Sequence, residues 1–152
     1  EYSAWCAARG LSITDDIIQS VSWEDGLGFE PSWAPYNLEE EIEHWVLWHH
    51  PDKVPGNTRL VPKAEKALLE AFLRPLYDTP LPSDDRLLIF QNVPRRRSLP
   101  SIAHSHVFFR LSRDSEGTRL KRTLAVLRER WQQRAIERRQ ALDRSVRIGS
   151  AV

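Results

Sequence analysis

Two histidines separated by one residue, in the string His104-Ser105-His106, are the residues of this chain best suited to chemistry. They fall in an alternating run over 103–111, a pattern that predicts a β-strand. Side chains alternate between the faces of a strand, so the two imidazoles are expected on one face, ~6.5–7 Å apart. Imidazole titrates near neutral pH, so one ring can accept a proton while the other donates or orients. We predict His104 and His106 as catalytic residues.

Further polar side chains are expected at the rim of the same cleft. His44 lies in a second predicted strand, and Asn92 ends a third, where it can bind a substrate or cap the turn. The guanidinium of Arg97 suits a phosphate or carboxylate group, although its arginine-rich loop can also be a solvated charge run. The substrate-binding candidates from these considerations are His44, Asn92, Arg97, Ser98 and Arg110.

A metal centre is the alternative use of these imidazoles, because His44, His104 and His106 could converge if their strands are adjacent. Neither Asp nor Glu occupies an obvious ligand spacing, so we favour acid–base chemistry and expect neither a metal nor another cofactor. The patterns G-x-x-x-x-G-K-[ST], G-x-G-x-x-G and G-x-S-x-G do not occur. The common nucleotide-binding and serine-hydrolase classes therefore lack support.

The composition is that of an ordinary soluble globular protein. The 152 residues are 41% hydrophobic and 28% charged, and the net charge of +1 argues against a generally polybasic nucleic-acid or membrane binder. The single cysteine, Cys6, cannot form an intrachain disulfide and favours a reducing compartment. We expect a cytoplasmic protein with a small-molecule substrate and with no nucleic-acid or membrane partner; a homodimer is left open.

Short β-rich runs are separated by one helical segment and one loop, which predicts an α+β fold with a small antiparallel sheet and packed helices. Strands 86–92 and 103–111 are joined too closely for a helical crossover, so they should pair antiparallel, and 42–49 should join them. The glycine- and proline-containing segment 23–40 is interpreted as loop. The chain is predicted to be a single domain over 1–152, with an N-terminal helical segment over 1–30, a sheet core over 31–112 and a long amphipathic helix over 117–146.

The C-terminal segment differs from the rest of the chain in charge. Residues 119–152 carry a net charge of +7, whereas the remainder carries −6. Leu120, Leu124, Leu127 and Trp131 recur at three- and four-residue spacing, which forms one apolar stripe of a helix. We interpret this stripe as packing on the acidic body, with the arginines in solvent. A basic surface for nucleic acid or an anionic membrane is the alternative.

Three strings also carry a resemblance to a known family. They are E-x-x-I-E-H-W-V-L-W, L-L-I-F-Q-N and R-S-L-P-S-I-A-H-S-H-V. Together with Pro35-Tyr36 they cover roughly residues 30–110 and resemble the fungal N-acetylglucosamine-induced protein family, which carries a domain of unknown function. The resemblance implies a fungal source without an established reaction, and it adds Tyr36 to the substrate-binding candidates.

The order of elements over about residues 32–111 is similar, more distantly, to that of the histidine-triad superfamily. Those proteins have a His-led strand, a helix, a strand ending in Asn and a strand bearing H-x-H-x-H. On this pattern His104 takes the middle, nucleophilic place, His106 takes the third, and Ile102 stands at the first. The resemblance implies a histidine-triad-like fold and, for His104, attack on phosphorus through a covalent intermediate.

The residues and resemblances leave three hypotheses of function. The first is a small-molecule enzyme that uses the histidine pair for isomerisation, cyclisation, elimination or hydrolysis of a fungal metabolite. The second is a histidine-triad-like phosphoester or nucleotidyl hydrolase or transferase with His104 as the nucleophile. The third is a non-catalytic protein that binds or senses a metabolite.

Overall fold

The structure, a computed structural model, describes residues 7–8, 10, 12–32, 38–77, 81–97 and 99–149. Its elements in chain order are α1 Ile13–Ser20, β1 Leu27–Pro31, β2 Ile42–His49, α2 Pro62–Leu73, β3 Leu87–Phe90, a 3₁₀ turn Pro94–Arg96, β4 His104–Arg110 and α3 Ser115–Gly149. The predicted α+β fold with a small antiparallel sheet and a long C-terminal helix is confirmed.

The four strands form one open antiparallel sheet in the order β1-β2-β4-β3. The strand that carries the histidine pair, β4, therefore lies between β2 and β3. His106 is flanked by Val46 of β2 and by Phe90 of β3. The expectation that 42–49 joins the sheet of 86–92 and 103–111 is confirmed.

Strand β1 corrects the expectations that 23–40 is loop and that the N-terminal segment 1–30 is helical. A two-residue turn precedes β1, in which Asp25 and Gly26 have φ of 51° and 78°. Two backbone hydrogen bonds between Glu24 and Leu27, of 2.8 and 3.0 Å, close this turn. Asp-Gly is a strong signal for such a hairpin turn, because both of its residues tolerate positive φ.

One face of the sheet packs against α2 and the first half of α3. Trp45 and Phe109 from the sheet and Leu69 from α2 are fully buried there. The apolar stripe of α3 meets the same core, because Leu120, Leu124 and Leu127 are buried, whereas Trp131 is only half-buried. None of the described helices is both long and apolar enough to cross a membrane.

The other face of the sheet is covered on one side only. Ile17 and Val21 of α1 pack there with Val46, Trp48 and Ile102. Toward β3 the same face stays open to solvent among the described residues, and Leu88 has 56% of its surface exposed there. The candidate histidines lie on this second face, between the covered and the open part.

Candidate active site

The alternation of β4 brings His104 and His106 onto one face of the sheet. Their ring centroids are 5.4 Å apart, and the rings meet edge to face at 77°. Only 5% of His104 and 9% of His106 is exposed. Trp48 of β2 is paired with His104 in the sheet, and the centroids of their rings are 5.0 Å apart. The pair therefore forms a largely enclosed site rather than two solvated surface histidines.

A chain of hydrogen bonds joins Asn92, His106 and His44. Nδ2 of Asn92 lies 3.1 Å from Nε2 of His106. An amide N–H donates, so this ring nitrogen accepts and the proton of His106 is on Nδ1. That N–H in turn donates to Nε2 of His44 at 3.0 Å. Asn92 thereby sets the tautomer of His106 and, through it, that of His44.

The tautomer of His104 is fixed separately by the backbone. Its Nδ1 lies 2.8 Å from the carbonyl oxygen of Ile102. A carbonyl only accepts, so Nδ1 carries the proton and Nε2 keeps its lone pair. Among the described residues, none forms a hydrogen bond with this Nε2. His104 therefore keeps an unprotonated nitrogen that has no hydrogen-bond partner among the described residues.

Aromatic rings line the open side of the cluster. The ring of Phe108 stacks on His44 at 4.3 Å, and Phe90 lies 5.3 Å from His106. These two phenylalanines also line a cavity of about 330 Å³ that extends along β3 and β4. Leu88 and Arg110 line its wall as well. Phe90 and Phe108 thus connect His106 and His44 to a mainly apolar cavity, although none of the three histidines lines that cavity itself.

All three imidazoles are neutral at pH 7. Burial and then repulsion from His106 lower the pKa of His44 to about 4. Burial and then repulsion from His104 lower the pKa of His106 to about 4. The pKa of His104 is also lowered, chiefly by burial and further by the charge of Arg97, although its hydrogen bond to the Ile102 carbonyl opposes this. The cluster is therefore built of bases rather than of cations.

The low pKa values predict that acid destabilises the fold. Unfolded histidine titrates near pH ~6.5, so in the interval down to pH 4 the unfolded chain binds protons that folded His44 and His106 do not. The stabilising contribution is complete above pH ~6.5 and is lost as the pH falls toward the folded pKa. Urea unfolding should give a free energy about 2 kcal/mol lower at pH 5 than at pH 7, a value that allows for partial solvent screening.

The double variant His44→Asn/His106→Asn is the control for this pH dependence. It lacks two of the three histidines whose pKa is lowered, so its unfolding free energy should change less between pH 7 and pH 5 than that of the wild type. A wild-type stability that is flat or rises over this interval would contradict the assigned pKa directions.

The remaining candidates fall into three groups. Arg97 folds back on the loop, where its Nε donates to the Asn92 carbonyl and Nη2 donates to Gln91 Oε1, both at 2.9 Å. Arg110 shares the strand face with His106, but four residues of strand separate them by about 13 Å, at the far end of the cavity. Tyr36 and Ser98 lie outside the described residues.

The three-histidine metal site is not supported by this geometry. Nε2 of His44 and Nδ1 of His106 form a hydrogen bond with each other, so neither nitrogen is available to bind a metal ion. Within the part of the chain that the structure describes, no group of three or more His, Cys, Asp or Glu side chains could hold a metal ion.

A buried polar cluster on the opposite face of the sheet was not expected from the sequence. Glu65 of α2 is 2% exposed and accepts from Nε2 of His49 at 2.9 and 3.0 Å. The hydroxyl of Ser105 donates to the same carboxylate at 2.7 Å. Ser105 lies between the two site histidines, so this cluster ties α2 to their strand. Glu65 falls on the same stripe of α2 as Leu69 and Leu73, a position where an acidic residue signals a buried partner.

Fold and site together define an α+β domain with three neutral histidines on one face of an antiparallel sheet. The chain belongs to the DUF3605 family, described as a protein of unknown function, whose sequence pattern matches residues 20–110. The sequence resemblance predicted a family with a domain of unknown function, and this prediction is confirmed.

Two further similarities are found. The Saccharomyces cerevisiae protein YPL067C, described as uncharacterized, is 36% identical over 89 residues, which are 53% of this chain and 41% of that protein. The chain thus spans about two fifths of the length of this fungal relative. A crystal structure described as HTC1 has a TM-score of 0.49 and 22% identity, with 82% of this chain and 80% of that chain covered.

Proposed function

We propose that the chain is a small-molecule enzyme in which His104 acts as general base. The hydrogen bond from Nδ1 of His104 to the Ile102 carbonyl carries this proposal, because it leaves the lone pair on Nε2. Burial lowers the pKa of His104, so the unprotonated form prevails at neutral pH. When Nε2 takes a proton, the same carbonyl stabilises the imidazolium that forms.

His106 and His44 act as a proton relay in this proposal. A proton that reaches Nε2 of His106 replaces the hydrogen bond from Asn92, and the proton on Nδ1 passes to Nε2 of His44. The contacts of 3.1 and 3.0 Å support this route, because both lie within proton-transfer range. His104 can remove one proton from a substrate, and the relay from His106 to His44 can take up or return another. This arrangement suits isomerisation, cyclisation, elimination or hydrolysis.

The cavity indicates the class of substrate. Its volume of about 330 Å³ suits a small metabolite, and Phe90 and Phe108 supply aromatic walls beside the histidines. Arg110, at the other end, can bind an anionic group of the substrate. We propose a small, partly apolar metabolite with an acidic hydrogen near its apolar end.

A second function, phosphoester or nucleotidyl transfer, is favoured by the same tautomer of His104 and by the nearby charge of Arg97. In that reaction Nε2 of His104 forms a bond to phosphorus, and the phosphorus–oxygen bond of the leaving group breaks. The leaving oxygen takes up a proton, and water then cleaves the nitrogen–phosphorus bond. The proposed similarity to the histidine-triad superfamily belongs to this second function.

The two functions are separated by incubating the protein with a small-molecule extract of Saccharomyces cerevisiae in D₂O. The matched control is His104→Asn, because an asparagine amide can still donate to the Ile102 carbonyl but has no counterpart of Nε2. General-base chemistry should give at least one compound that gains deuterium or changes mass with the wild type only. Phosphoryl or nucleotidyl transfer should instead leave an acid-labile adduct on His104.

An extract that both proteins leave unchanged, with a compound bound to each, would contradict both enzymatic proposals. That result would favour a non-catalytic binding protein.

Four expectations from the sequence stay predictions. They are the narrower family assignment, the single-domain organisation, the cytoplasmic location and the partners.

A further inference from the structure

Strand β3 lies at one edge of the sheet and presents backbone groups that no described residue pairs. In an antiparallel ladder, alternate residues point their N–H and C=O groups toward the neighbouring strand. The N–H of Arg110 donates to the carbonyl of Arg86 at 2.9 Å, so Leu88 bonds to β4 in the same way. Leu87 and Ile89 therefore point their backbone groups away from the sheet, where no described residue bonds to them.

The opposite edge of the sheet, β1, is poorly suited to an added strand. Leu27 uses both of its outward backbone groups in the hairpin turn with Glu24, at 2.8 and 3.0 Å. Pro31, at the other end of β1, has no N–H to donate. Phe29 lies between them and is buried in the core. Proteins commonly block edge strands in such ways, whereas β3 carries neither a proline nor a charged residue.

Exposed apolar side chains surround the free edge of β3. Leu88, Val61 and Val93 each have more than half of their surface exposed. Val93 lies just after β3, and Val61 follows Leu60, whose N–H donates to the side chain of Gln91 at 3.1 Å. Three of the seven exposed large apolar side chains among the described residues therefore lie near this edge. Clustered exposed apolar side chains are typical of a surface that another chain covers.

The charges at the two ends of β3 have opposite signs. Asp84 and Asp85 precede the strand and are exposed. Arg95 and Arg96 follow it, are exposed, and form no ion pair with a described carboxylate. When two copies of β3 pair antiparallel, the acidic end of each copy lies near the basic end of the other. The strand is thus complementary to itself, which favours a second copy over a different partner.

We propose that β3 pairs antiparallel with β3 of a second copy about a two-fold axis, which joins two four-stranded sheets into one. With the axis at Ile89, the backbone groups of the two Ile89 residues face each other, and those of Leu87 face Gln91 of the second copy. Leu88 then packs against Phe90 of the second copy on the open face of the sheet. This interface does not depend on the chemistry of the histidine cluster.

The first test is sedimentation equilibrium of the full chain at pH 7.5, from micromolar to millimolar concentration. The wild type should reach twice the mass of one chain. Leu88→Lys should weaken association at least ~10-fold, because it places an unpaired charge against an apolar surface. Ile136→Lys is the matched control: Ile136 is half exposed too, but it lies in the C-terminal half of α3, so association should be unchanged.

Charge reversal tests the direction of the pairing. Asp85→Arg and Arg95→Asp should each weaken association, because each substitution places like charges near each other. A chain with both substitutions should associate about as well as the wild type, since opposite charges meet again across the axis. A double variant that stays as weak as the single variants would overturn the antiparallel arrangement. This result stands even if Leu88→Lys does not fold.

Amide hydrogen exchange reports the strand pairing itself. The N–H groups of Leu87 and Ile89 should exchange more slowly at concentrations at which the wild type is dimeric, because they then donate to the second copy. Leu88→Lys should lack this protection at the same concentrations. A wild type that is monomeric at millimolar concentration, or a dimer that Leu88→Lys leaves intact, would overturn the proposal. Unchanged exchange of both N–H groups in the dimer would also overturn it.

Discussion

Replacing His104 by alanine should lower turnover of the yeast-extract compounds that the wild type converts by ~10²–10⁴-fold. The variant loses Nε2 of His104. This nitrogen carries a lone pair and forms no hydrogen bond with a described residue. Its loss removes the base, whereas the relay from Asn92 through His106 to His44 remains. The measurement is the rate of substrate loss by mass spectrometry.

Two controls separate this effect from general damage. His50→Ala removes a histidine that contacts Trp23 at the edge of the fold, outside the cluster, and should leave turnover unchanged. Added imidazole should partly restore the activity of His104→Ala, because a free base can enter the space left by the ring. Wild-type rates in His104→Ala would refute the assignment of this residue as base or nucleophile.

Replacing Glu65 by alanine should lower the free energy of unfolding by about 3–5 kcal/mol, the cost of leaving a buried polar cluster without its central partner. His49 and Ser105 would both lose their acceptor in an environment closed to water. Ser105 lies between the two site histidines and links their strand, β4, to Glu65. Because the variant loses this link, the histidines should be held less firmly, and the substrate should bind more weakly. Urea unfolding at pH 7 measures the main effect.

Lys63→Ala on the same helix is the matched control, since Lys63 is exposed and should change stability by less than ~0.5 kcal/mol. Glu65→Gln should be intermediate, because an amide oxygen can still accept from Ser105. A Glu65→Ala variant within ~1 kcal/mol of the wild type would mean that His49 and Ser105 find other partners.

Strand alternation was sufficient to predict one part of the site. The spacing of His104 and His106 dictates a shared face, and they lie on one. Alternation fixes a face but not a distance, so Arg110, on the same face, lies far from the pair. The contact between His44 and His106 depends on the order of strands in the sheet, which the pattern of one strand does not contain.

Buried polar groups were harder to predict. His49 ends the predicted strand 42–49, and the sequence alone does not pair it with Glu65, yet its side chain is buried against that residue. That contact joins residues 16 positions apart and needs the packing of α2 on the sheet. By contrast, the turn Asp25-Gly26 is a local signal that was present in the sequence, and it marks the start of the strand that was interpreted as loop.

The role of His104 as a base requires that its ring is neutral at pH 7 with the proton on Nδ1. Imidazole ¹⁵N NMR of the full chain, with His104→Asn to assign the signals, measures the tautomer and the pKa together. We expect protonated Nδ1, unprotonated Nε2 and a titration midpoint below ~6.5, in the direction that burial imposes. A proton on Nε2, or a pKa of His104 above ~6.5, would contradict the account.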